Sequence, residues 1–60
     1  LSQRAVDAVF QASFLLCEVR MILRETAPHH QLEPETVDHV RNLIDLLERE
    51  VRALREELVP

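Results

Sequence analysis

Seven apolar residues in the second half of this chain, Val37, Val40, Ile44, Leu47, Val51, Leu54 and Leu58, step by 3, 4, 3, 4, 3 and 4 without a break. That is the a/d heptad of a helix packed along a supercoiled seam, with a mean period of about 3.5 residues. A half-buried strand would need alternation at period two, and the chain has none. Leu43, Leu46 and Ala53 widen the stripe, while Asp38, Arg41, Asn42, Asp45, Arg49, Arg52 and Glu56 fall away from it. Asp45–Arg49 and Glu48–Arg52 place an acid four residues before a base, worth about 0.2–0.5 kcal/mol each. The pattern specifies helix packing and carries no chemistry of its own.

The first half repeats the period with smaller side chains. Ala5, Val9, Ala12, Leu16, Val19 and Leu23 step by 4, 3, 4, 3 and 4 and form the expected seam. Ala8, Leu15 and Ile22 flank it at seven-residue spacing, and Phe10, Phe14, Cys17 and Met21 extend the apolar surface further round. Small layers let helices approach closely. Only a narrow polar line remains, chiefly Arg4, Gln11, Glu18 and Glu25, so this helix calls for burial on more than one side.

Proline sets the boundaries. Pro28 disfavours helix at Ala27, and Pro34 suits the first turn of a new helix, where its missing N–H is no loss. The reading is a helix over about 3–26 capped by Ser2, a connection over about 27–33, and a second helix over about 34–58. Glu33, Glu35 and Asp38 put negative charge at the opening of that second helix, where the macrodipole favours it. Two helices of matched length on a short link make an antiparallel hairpin. The fold class is therefore all-α, with the 60 residues forming one domain, and the start at Leu1 reads as a fragment of a longer protein.

A single hairpin leaves the Phe10, Phe14 and Met21 side of the first helix in water, a larger apolar patch than soluble monomers normally carry. Small chains solve this with disulfides, metal or oligomerisation. One cysteine excludes an internal disulfide, so self-association is the simplest answer. Two hairpins about a two-fold axis give a homodimeric four-helix bundle. The plan resembles dimeric helical hairpins in architecture alone, and architecture carries no function.

Other functions find little support. A net charge of −4, with 11 acidic against 7 basic residues, has the wrong sign for a nucleic-acid surface. All seven basic residues are arginine, which compositional bias explains more simply than selection for bidentate pairing with carboxylates. The longest unbroken apolar run, Phe14–Leu15–Leu16–Cys17, falls far short of the roughly 20 residues that span a bilayer. Glycine is absent, so there is no phosphate-cradling loop. His29, His30 and His39 with Glu33 and Glu35 are the only cluster of metal-ligand types, and their spacing does not present two imidazoles on one helical face. Ser2 and Ser13 have no histidine and carboxylate at readable spacing. Arg20, Arg24 and Glu18 read as the solvated edge of the first helix rather than a substrate clamp. Cys17 reads as a buried small hydrophobe. The chain is thus expected to be no enzyme and to need no cofactor or metal.

The function expected from these features is homodimerisation of the protein that carries the hairpin. The interface residues are Val9, Leu16, Val19 and Leu23 facing Val40, Ile44, Leu47, Val51 and Leu54, with Phe10, Phe14 and Met21 filling the space between hairpins. The alternative is a docking module that receives an amphipathic helix of another protein, for which the two phenylalanines and Met21 supply an adaptable surface. An unpaired cysteine and the absence of a secretory signal point to an intracellular setting.

Overall fold

The computed structural model describes residues 1–59; Pro60, the last residue of the expected domain, lies outside them. Helices α1 (Gln3–Arg24) and α2 (Pro34–Leu58) pack against each other as an antiparallel hairpin. No strand occurs among the described residues. The result is a rod of 41 × 15 × 15 Å.

Local chemistry explains the ends. Ser2 is extended, with φ −70° and ψ 163°, and its Oγ accepts the Ala5 N–H at 3.1 Å, satisfying a donor that the first turn leaves free. The same hydroxyl donates to Glu57 Oε2 at 3.0 Å, which ties the start of α1 to the end of α2 and fixes the antiparallel register. At the other end, α1 stops two residues before the expected Thr26. The Thr26 N–H turns back three residues to the Leu23 carbonyl at 3.1 Å, and its Oγ1 donates to the same oxygen at 2.6 Å. That tightening closes the helix in a short i→i−3 turn. His30 then takes φ 56°, the left-handed region, in a chain with no glycine to do so, and its N–H donates to the Thr26 carbonyl at 2.8 Å. Histidine is among the side chains that tolerate this region best. The α2 helix begins and ends where the sequence places it, with Pro34 in its first turn.

The seam differs from the one read off the heptads, on both helices. Buried residues are Ala5, Ala8, Val19, Val40 and Leu43. Leu15, Ile22 and Leu32 pack against the cluster of Val19, Val40 and Leu43. The expected seam residues Val9, Leu16 and Leu23 of α1 and Ile44, Val51 and Leu58 of α2 are exposed instead, while the flanking Ala8 and Leu43 are almost fully buried. Each helix has turned by one column of its stripe. On α1 the exchange swaps Leu16 for Leu15 and Leu23 for Ile22, side chains of equal size, but puts Ala8 where Val9 would stand, so that Ala5, Ala8 and Ala12 together allow close approach near the open end of the hairpin. Glu50 sits half-buried in the same column as Leu43. One heptad before the Glu57 that meets Ser2, it lies at the level of Ala8 and Ala12, where small neighbours leave room for its stem to cover them.

The hairpin exposes 5135 Å², against about 4,000 Å² for a compact monomer of this size. No helix among the described residues is long and apolar enough to cross a membrane.

Candidate association surface

Residues seven apart on a helix stack in one column, drifting by only about 20° per heptad. The α1 stripe holds three such columns: Ala8, Leu15 and Ile22; Ala5, Ala12 and Val19; and Val9, Leu16 and Leu23. The α2 stripe holds Leu43 and Glu50; Val40, Leu47 and Leu54; and Val37, Ile44, Val51 and Leu58. The hairpin consumes the first two columns of each helix and leaves the third in solvent, apart from Val37, which is half-buried near the connection.

The two unused columns lie on the same side. Both helices are right-handed and run antiparallel, so the column that follows the seam in the winding sense of α1 and the one that follows it in α2 emerge from the same edge of the contact. That side presents Val9, Leu16 and Leu23 beside Ile44, Val51 and Leu58, with 40–57% of each residue in solvent. A shallow depression of about 570 Å³ runs along Leu16, Val19 and Leu23 towards His30. The opposite side of the hairpin carries Arg4, Gln11, Glu18, His39 and Glu57, all exposed, and among its large apolar residues only Leu46. The molecule therefore has one apolar side and one polar side.

Phe10, Phe14 and Met21 form a separate surface. At about 100° per residue they point away from α2, on the back of α1, and are 61%, 69% and 58% exposed. Cys17 lies among them and is exposed rather than buried. The expected buried cysteine needs a neighbour that α2, on the far side of the helix, does not supply.

The expected interface set thus divides three ways. Val19, Val40, Leu47 and Leu54 hold the hairpin together. Val9, Leu16, Leu23, Ile44 and Val51 lie on its open apolar side, and Phe10, Phe14 and Met21 lie on the back of α1. Sequence reasoning placed Ala8, Leu15, Ile22 and Leu43 beside the seam rather than in it; seven-residue spacing marks the three on α1 as a column but does not say which columns face α2. The three histidines do not converge: no group of three or more His, Cys, Asp or Glu side chains among the described residues is placed to hold a metal ion.

No protein-family model matches the chain, and no curated protein or solved structure shows significant similarity to it.

Proposed function

We propose that the hairpin is a homodimerisation module, which joins two copies of the polypeptide that carries it by packing its apolar side against the same side of a second hairpin. The observation that carries this reading is the one-sided pairing of columns, Val9, Leu16 and Leu23 beside Ile44, Val51 and Leu58. A helix in a two-helix contact needs an a/d stripe, whereas a helix in a four-helix bundle touches two neighbours and needs a further column. Both helices have that further column, and both turn it to the same side. Each of these half-exposed side chains contributes about 1 kcal/mol on burial, and the two-fold presents the set twice. The surface area in excess of a compact monomer agrees in scale with what a dimer interface removes from solvent. An intracellular setting, where a lone thiol stays reduced, suits the module.

The test is Ile44→Asp. Ile44 is 40% exposed in the hairpin, so the variant keeps its intramolecular seam, but in the bundle the carboxylate would be buried without a partner. Sedimentation equilibrium should show the wild-type chain as at least a dimer and the variant as a monomer. A variant that associates as tightly as wild type refutes the assignment. A wild-type chain that is a weakly helical monomer points instead to a helix of another protein as the occupant.

A further inference from the structure

The back of α1 is a second apolar surface, which the proposed bundle leaves free. Phe10, Phe14, Cys17 and Met21 step by 4, 3 and 4, and all four are exposed. The same alternation carries the strip on to Asp7 at one end and Arg24 at the other, both also exposed. An acid and a base therefore close the apolar strip at opposite ends. We propose that the strip receives the same strip of a second copy, with the two α1 helices antiparallel, so that paired hairpins join into assemblies of more than two copies. The inference stands on a different surface from the bundle and does not depend on it.

Charge complementarity selects this occupant and its direction. A two-fold axis level with the middle of the strip, between Leu15 and Leu16 in sequence, sets Phe14 against the partner's Cys17 and Phe10 against the partner's Met21. The next layer out is Asp7 against the partner's Arg24, formed twice by symmetry. Asp7 Oδ1 accepts a hydrogen bond from Gln3 Nε2 at 2.9 Å, and the carboxylate keeps acceptor sites for a guanidinium. The flanks agree with the strip. Along one, Arg4 meets the partner's Glu25 and Gln11 the partner's Glu18; along the other, Ser13 meets the partner's Arg20. Each end of the contact thus gathers Arg4 and Asp7 with the partner's Arg24 and Glu25, two bases with two acids. A parallel pair gains Arg20 against the partner's Glu25 but sets Asp7 and Arg24 against their like within the strip itself. The charge pattern is its own complement on reversal, which is what an isologous contact with a second copy requires. The α2 helix packs on the opposite side of α1 and does not obstruct the approach. The four apolar side chains offer roughly 400 Å² per chain, which puts the contact below the range of stable interfaces. It forms at concentrations above those that fill the bundle face.

The experiment uses the Ile44→Asp chain, whose bundle side is blocked, in sedimentation equilibrium with circular dichroism on the same samples. Monomeric where the wild-type chain is paired, this chain should pair weakly at higher concentration, and adding Phe14→Glu should leave a helical monomer throughout, because its charge falls in the contact. Adding Asp7→Arg instead should weaken the pairing about tenfold, since each Arg24 then meets an arginine. Adding Asp7→Arg and Arg24→Asp together should restore it, because the exchange recreates both ion pairs. In the chain with Ile44 intact, the same substitutions should act only on the step beyond two copies, so the reading survives an Ile44→Asp chain that folds poorly. An Ile44→Asp chain that stays a helical monomer at every concentration overturns the inference and leaves the bundle untouched. So does weak pairing that Asp7→Arg does not change, as a parallel contact predicts, or that the double exchange fails to restore.

Discussion

Leu15 and Leu16 are adjacent in sequence and chemically identical, yet Leu15 packs within the hairpin while Leu16 lies on its open side, so under the proposed dimer truncating Leu16 should separate association from folding. Leu16 keeps 57% of its surface in solvent within the hairpin, roughly 95 Å², of which an alanine would lose about 60 Å². At about 25 cal/mol/Å² the loss is ~1.5 kcal/mol per chain. A two-fold interface uses the residue twice, so the dimer loses ~3 kcal/mol. That weakens dimerisation about 100-fold. The hairpin itself should be unharmed, because the removed atoms touch mainly solvent and alanine is the better helix former. The assay is sedimentation equilibrium of Leu16→Ala beside wild type, with circular dichroism on the same samples. A dissociation constant within threefold of wild type would refute the placement of Leu16 in the interface. A loss of helicity that persists at concentrations where the variant is fully paired would refute its exclusion from the seam.

Leu15→Ala should behave in the opposite way: Leu15 packs against the cluster of Val19, Val40 and Leu43, so truncation costs the hairpin about 2 kcal/mol, and thermal denaturation should show lower stability at every concentration. Ser2→Ala removes the cap on the Ala5 N–H and the link to Glu57; about 1 kcal/mol is lost, and the melting temperature should fall by roughly 4–8 °C. His30→Val places a β-branched side chain at φ 56° and should destabilise the hairpin by about 1–2 kcal/mol. His30→Gly, which relieves the same conformation, should not; equal melting temperatures for the two would show that the connection does not hold this geometry in solution.

Much of the hairpin is legible in the sequence because its ends are set by local chemistry. Pro34 fixes the start of α2, and the Ser2 hydroxyl caps α1, whatever the helices later pack against. The end of α1 is less legible, since Thr26 turns back on Leu23 through a side-chain hydrogen bond that periodicity does not register. The seam is the instructive miss. Heptad spacing identifies an apolar stripe, but each stripe here is three columns wide, and any two adjacent columns satisfy the 3–4 alternation. Which two face inward is settled by the fit between helices, where Ala8, beside Ala5 and Ala12, permits an approach that Val9 in its place would hinder. Cys17 is exposed rather than buried for a related reason: apolar residues surround most of α1, while a hairpin covers one side of it. The apolar excess of α1 was nevertheless visible from the start. The structure adds its division into two surfaces, one shared with α2 and one belonging to α1 alone.

The most direct test of the proposed bundle is sedimentation equilibrium of the wild-type chain over a hundredfold concentration range, with circular dichroism on the same samples. The account predicts a helical species of twice the chain mass that dissociates on dilution. A helical monomer across the whole range would contradict it.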